Sequence, residues 1–288
     1  MADYGQKVAD RALKTVDRRI RMAYKQTEKE LQKKLADFTE KFEKKNKELL
    51  ADLADELISE EEYKNWLTLQ VFNKGIWEQK LKECQEILLK HNEQAVNVVR
   101  ENQIGVFAQN YNYFAKRTTG VTGVSFSMYD QHAAARLLKK KPQLLPQWKI
   151  NEDKEYKWSR QRVQTAIRQG IIQGESIDQI TGRLTTALAT QAENRMRLFA
   201  RTAVTEAQNA GRMEMLHDAE EMGIRVKKKW LATMDNRTRD SHAEIDGEVV
   251  DVDEEFSNGL MYPGDPSGDP AEVYNCRCTL VYVYPDFE

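Results

Sequence analysis

The sequence predicts a mainly α-helical chain with a C-terminal α+β domain: long N-terminal helices come first, then helices packed with a small β-sheet. Three observations carry this. Lys7 to Leu57 contains neither Pro nor Gly and repeats its apolar residues at helical spacing. Pro142 and Pro146 interrupt the helical pattern near mid-chain. From Ile224 the apolar period shortens to two, the signature of a half-buried strand. Together they divide the 288 residues into a helical region of helical hairpins over 1–140, a Pro-containing linker over 141–157 and an α+β domain over 158–288.

In the first region Ile20, Leu31, Leu35, Phe38, Phe42, Leu49, Leu53 and Leu57 form one stripe, with Lys and Glu on the other faces. Ser59 followed by Glu62 is a capping-box arrangement, so a break is expected near Ile58 and a new helix after it. Trp77, Leu81, Cys84, Leu88, His91, Ala95 and Val98 alternate steps of four and three, a heptad seam that another helix must cover, the preceding helix folded back being the natural partner. That seam explains Cys84 and His91 as packing residues. Gly120 and Gly123 are expected to interrupt the helix, and Ser125 to Lys140 to resume it. The second region should open with helices over Trp158–Gln169, Ser176–Ala189 and Asn194–His217, with strands at Ile224–Trp230, Val249–Val252 and Thr279–Tyr284.

Charged residues make up 31% of the chain, which fits long solvent-facing helices. No run approaches the roughly 20 apolar residues that span a bilayer, and the first residues lack the apolar core of a signal peptide. No membrane partner is expected. Three cysteines, Cys84, Cys276 and Cys278, are too few and too unevenly placed for a disulfide framework, in keeping with a reducing compartment. Residues 1–50 carry 14 Lys/Arg against 9 Asp/Glu, whereas 225–288 carry 7 against 14. Either the two ends face different partners or both sets solvate exposed faces.

The densest chemistry lies in the last sixty residues. Cys276 and Cys278, two apart in an extended segment, would present both sulfurs to one face and turn Arg277 away. With His242 alongside they form a Cys, Cys, His set that could bind zinc, an acidic group such as Asp235 completing a tetrahedron. The other reading is a pair of buried thiols anchoring the final strand. Asp235, Arg237, Arg239 and His242 read as a polar scaffold: Asp235 capping a turn, and Arg239 and His242 on one helix face, pinning the Pro263–Pro270 loop through Asp265, Asp269 or loop carbonyls. No complete catalytic set identifies itself, so no catalytic residue is assigned and no cofactor is required. Arg201, Thr205 and Gln208 fall on one face of an Ala-rich helix, where they can tie it to the sheet.

The order Trp230, Asp235, Arg237, Arg239, His242, Gly247, Asn275, Cys276, Cys278 resembles the C-terminal domain of the Mu F-like family of phage head morphogenesis proteins, also called minor head or minor capsid proteins. Arg201 to Glu206, Gly211-Arg212 and Gly223-Ile224 also fit that family. The resemblance implies a component of the virion, inside the capsid near the portal vertex and in the host cytoplasm during assembly. Its implied partners are the portal protein, a scaffold or major capsid protein, and packaged DNA touched without sequence preference. A role in DNA packaging or delivery is implied as well. Two other classes stay open: a zinc-dependent or ADP-ribosyltransferase-like enzyme, and a nonspecific DNA-binding accessory using the basic N-terminal helix.

Overall fold

The computed structural model describes residues 4–72, 74–146, 151–173 and 177–287. With no Pro or Gly to stop it, the first pattern becomes one helix, α1 (Tyr4–Ala54). It ends as helices do when a residue turns left-handed: Glu56 takes a φ of 55° and the Leu57 N–H reaches back to Asp52 O at 2.8 Å. The capping box then opens α2 (Glu60–Phe72): Ser59 Oγ accepts the Glu62 N–H at 3.2 Å, and Glu62 Oε2 accepts the Ser59 N–H at 2.8 Å.

α3 (Lys74–Thr122) runs through Gly120 and stops only at Gly123, where φ is 75°. The expected resumption at Ser125 is delayed to α4 (Gln131–Lys140), because α3 holds the intervening chain extended. Asn112 of α3 accepts the Tyr129 N–H at 2.8 Å and donates to Tyr129 O at 2.7 Å, and Asp130 then caps α4 through the Ala133 N–H. Lys141 to Pro146 is a turn. α5 (Glu152–Gln173) begins inside the expected linker, because Asn151 Oδ1 caps it through the Lys154 N–H at 2.9 Å. The two helices expected after it are one, α6 (Ile177–Glu221), since residues 190–194 contain no Gly or Pro. Gly174 and Ser176 lie outside the described residues, as do the side chains of Phe38, Trp77 and Leu81.

After Gly223 come β1 (Lys227–Leu231), α7 (Asp240–Glu244), β2 (Val249–Asp251), α8 (Pro270–Val273) and β3 (Thr279–Val283). β1 is central and antiparallel to both neighbours, pairing Lys229 with Val249 and Trp230 with Leu280. As the period of two requires, Ile224, Val226, Lys228 and Trp230 are all buried.

Two compact units are formed by segments discontinuous in sequence: Met1–Ile20, Val96–Trp148 and Arg195–Glu288 in one, Arg21–Ala95 and Lys149–Asn194 in the other. This spatial division cuts α1, α3 and α6, so it differs from the linear one of 1–140, 141–157 and 158–288. In the first unit α6 lies backbone to backbone on α3. A Cβ added to Gly211 would collide with the carbonyl of Phe107, so only glycine permits this approach. Beside it Arg212 is wholly buried, donating to Asn110 Oδ1 at 3.0 Å and Leu280 O at 2.7 Å with its guanidinium 4.7 Å from the Phe114 ring centre. In the second unit the seam of Cys84, Leu88, His91 and Ala95 is buried and Val98, just beyond it in the first unit, is half-buried. The seam's polar partners come from α1: His91 Nε2 lies 3.1 Å from Glu30 Oε2, and the Tyr24 hydroxyl bonds Asn92. Burial pushes the Cys84 thiol up to about 12, in keeping with a packing role.

Candidate functional site

β1 ends at Leu231, and the chain doubles back through a loop fixed by its own polar groups. Ala232 N–H donates to Asp246 Oδ1 at 2.8 Å, and Asp235 Oδ1 accepts the Arg237 N–H at 2.9 Å, the turn cap expected of Asp235. Arg239 then stands at the N-cap of α7, whose third residue, His242, is buried. The return to β2 needs Gly247, with φ at 85° and its N–H donating to Trp230 O at 2.9 Å. Trp230 fills the space above the loop, its ring meeting His242 edge-on at 5.1 Å and Phe256 at 5.2 Å.

The second strand of the site arrives from α8. Asn275 takes a left-handed φ of 60°, and the Cys276-Arg277-Cys278 segment runs extended into β3. Each of its carbonyls is caught by a different side chain: Cys276 O by Thr205 Oγ1 at 3.0 Å, Arg277 O by Thr233 Oγ1 at 2.7 Å and Cys278 O by Asn209 Nδ2 at 3.3 Å. This fixes both sulfurs facing inward and Arg277 outward, as the spacing requires. Arg277 grips Asp235 with both nitrogens, and its hydrogen bonds, with that of the Arg237 N–H, hold the Asp235 carboxyl well below the usual carboxylate range.

The sulfurs converge on one imidazole atom. His242 Nδ1 lies 3.7 Å from Cys276 Sγ and 3.4 Å from Cys278 Sγ, all three residues being buried. The contact joins segments 34 and 36 residues apart and so staples the loop after β1 to the entry of β3. The Cys276 thiol is pushed up by donating to Cys278 and by burial, whereas Cys278 is held down by that bond and by His242. On the other side of the ring Nε2 sits 2.9 Å from Glu272 Oε2, close enough for charge attraction though off the line of a hydrogen bond, and Ser241 Oγ donates to the same oxygen at 2.8 Å. A cavity of about 10 Å³ opens on His242, Asn275, Cys276, Cys278 and their neighbours.

Two expectations need correction. Asp235 is engaged by Arg277 and does not join the Cys, Cys, His cluster, whose ligand atoms lie within 4.8 Å of one another. Arg239 and His242 do not pin Asp265 or Asp269: Arg239 donates to Tyr274 O at 2.5 Å, and the carboxylate beside His242 is Glu272. Asp265 is occupied inside its own loop by the Met261 N–H and Ser267, and Asp269 caps α8. Arg237 is exposed, 3.8 Å from Asp235.

Of Arg201, Thr205 and Gln208, expected to tie α6 to the sheet, Gln208 does so, donating to Thr279 Oγ1 at 2.6 Å, and Thr205 holds Cys276 just ahead of β3. Sequence reasoning missed Asn209, which donates to Pro263 O at 2.8 Å and accepts the Leu280 N–H at 2.9 Å, and also Glu206. The Glu206 carboxyl is pushed up to about 8, first by burial and then by Asp265. The available signal was the run of polar residues in the otherwise apolar, Ala-rich stretch 203–210.

Residues 161–281 match the family model described as Phage Mu protein F like protein. Among curated relatives, minor head protein GP7 of Bacillus phage SPP1 is 34% identical over 121 residues, 41% of this chain and 39% of that protein. The NAD(+)–arginine ADP-ribosyltransferase EFV of Enterococcus faecalis is 38% identical over 125 residues, 43% of this chain and 26% of that protein. An uncharacterized protein, YqbB, of Bacillus subtilis is 34% identical over 125 residues, 41% of this chain and 40% of that protein. The chain thus spans between a quarter and two fifths of the length of these relatives. No solved structure matches it. Over residues 161–281 the chain is thus similar to Phage Mu F-like proteins.

Proposed function

We propose that this chain is a Mu F-like phage minor head protein, acting in head morphogenesis in association with the portal inside the procapsid and supporting DNA packaging or delivery. The observation that carries the reading is the family match over 161–281 together with the minor head protein among its relatives. The geometry agrees with an architectural part, since residues of the family pattern are spent on holding neighbouring chain: Asp235 on Arg277, Arg239 on Tyr274 O, His242 on the two cysteines. A scaffold or major capsid protein is a further partner in this reading. The excess of Lys/Arg in residues 1–50 would let α1 touch packaged DNA without reading its sequence, an attraction that falls steeply with salt.

The test is co-expression with the portal protein of the same phage, followed by pull-down and by mass spectrometry of assembled heads. The chain should co-purify with portal and be found in heads at low copy number. A chain that is absent from heads and ignores portal would sink the proposal.

One relative is named as an ADP-ribosyltransferase, which keeps an enzymatic reading in view. Against it, Thr205 and Gln208 on α6 are committed to the chain around β3, where they hold the fold. Incubation with labelled NAD and host proteins should leave no label on any acceptor; stoichiometric transfer would favour the enzyme.

A further inference from the structure

We infer that His242, Cys276 and Cys278 bind one zinc ion, which locks the loop after β1 to the segment entering β3. The first argument is the convergence itself. A neutral imidazole nitrogen offers one lone pair, enough for one thiol proton; a chain of hydrogen bonds would need only one sulfur at Nδ1, yet both approach it. Three donor atoms gathered around a common point suit a cation better than a hydrogen bond.

The second argument is metric. Zinc bonds of about 2.3 Å to sulfur and about 2.0–2.1 Å to nitrogen, at tetrahedral angles, separate S from N by about 3.6 Å. The two separations here, 3.7 and 3.4 Å, bracket that value. Two sulfurs and one nitrogen in tetrahedral disposition select zinc among the common divalent ions.

The surroundings supply what such a centre requires. With Nδ1 on the metal, the imidazole carries its proton on Nε2, and Glu272 Oε2, itself held by Ser241, lies 2.9 Å from it, off the line of a hydrogen bond but near enough to attract that proton. A carboxylate behind a ligating histidine fixes its tautomer and strengthens it as a donor. Thr205, Thr233 and Asn209 hold the carbonyls of residues 276–278, so the sulfurs are aimed before any ion arrives. Charge also balances: on binding, both thiols lose their protons to solvent, and two thiolates offset the dication, leaving a neutral centre in a buried place. The small cavity borders all three ligands and could supply a fourth, either one water or the buried Oδ1 of Asn275, which accepts no hydrogen bond.

The inference is independent of the head-protein reading, because it is tested on the isolated full-length chain. Protein purified under reducing conditions without chelator should carry one zinc per chain. Reloaded with cobalt(II), it should show thiolate-to-metal charge transfer and the d–d bands of a tetrahedral ion. Cys276→Ser, Cys278→Ser and His242→Asn should each abolish that spectrum, whereas Glu272→Gln should keep it with affinity lower by about 10–100-fold. Chelation should lower the unfolding temperature of the unmodified chain. The unmodified chain needs no variant to fold, so a reduced, folded sample that gives no thiolate–cobalt band and ignores chelator overturns the inference. So does stoichiometric metal that survives the double cysteine variant and is lost on His217→Asn, which would put the ion at His217, Glu220 and Asp253.

Discussion

The residues around β1 and β3 and those of 21–95 with 149–194 are held together in different ways. Around the sheet, buried polar side chains each bond a particular backbone group: Arg212 the carbonyl of Leu280, Lys228 that of Met261, Asn209 three groups at once. In the other unit the interior is dominated by an apolar stripe of Leu31, Leu35, Leu88, Ile180, Leu184 and Leu188, its buried polar pairs such as Tyr24–Asn92 joining side chain to side chain, with ion pairs such as Lys45–Glu48 on the surface. A stripe can be rebuilt from many combinations of similar volume. A bond between one amide and one carbonyl cannot. The family match over 161–281 begins in the helical unit and ends inside β3, so it takes in β1, β2 and most of the less replaceable interactions.

This contrast can be broken most severely by truncation. We propose that residues 158–288 keep a cooperative transition of their own, but at clearly lower denaturant than the full chain, since α6 loses Phe107, Asn110 and Phe114 of α3. A non-cooperative fragment in urea titration would show that α3 belongs to the same folding unit. Next in size, Trp230→Ala should cost about 3–5 kcal/mol, the range for deleting a buried aromatic ring. A loss under about 1 kcal/mol would mean the loop after β1 is held without it.

A matched pair sharpens the comparison further. Asn209→Leu leaves Pro263 O, Cys278 O and the Leu280 N–H without their partner, and should cost about 2–4 kcal/mol. His91→Leu removes a polar residue of the helical seam but leaves Glu30 partly in water, and should change stability by less than about 1 kcal/mol. Equal costs in denaturant melts would erase the distinction.

The last test is one of pH. Glu206 is raised from an ordinary 4.5 to about 8 in the fold, so its neutral form is the one the interior accepts. Its contribution is complete below the unfolded value and is lost as pH rises through the folded one, giving a decline in stability from about 4.5 to 8. Glu206→Gln should flatten that slope; an unchanged profile would show that the fold does not raise the Glu206 carboxyl.

Much of the fold was legible because its breaks are local. The capping box at Ser59, Gly123, Gly223 and the change of period at Ile224 each act within one turn of chain. The delayed start of α4 was not legible, since it is set by Asn112, 17 residues upstream. The same rule divides the site. A Cys-x-Cys spacing announces two sulfurs on one face, and His242 was found by its chemistry. Glu272 and Asn209 were not found, because their roles depend on partners brought near only by the fold, 30 and 69 residues away.

The contact of α6 with α3 has a consequence for how the chain tolerates variation. A saturating mutational scan should show a nearly empty column at Gly211, where the first carbon of any side chain meets the Phe107 carbonyl. Gly105 is also helical, in α3, but nothing lies within 4 Å of where its Cβ would stand. There Ala should be accepted and should stabilise by about 0.5–1 kcal/mol through lost freedom of the unfolded chain. Two glycines that look alike in composition would then mark opposite kinds of position, one closed to substitution and one open to improvement.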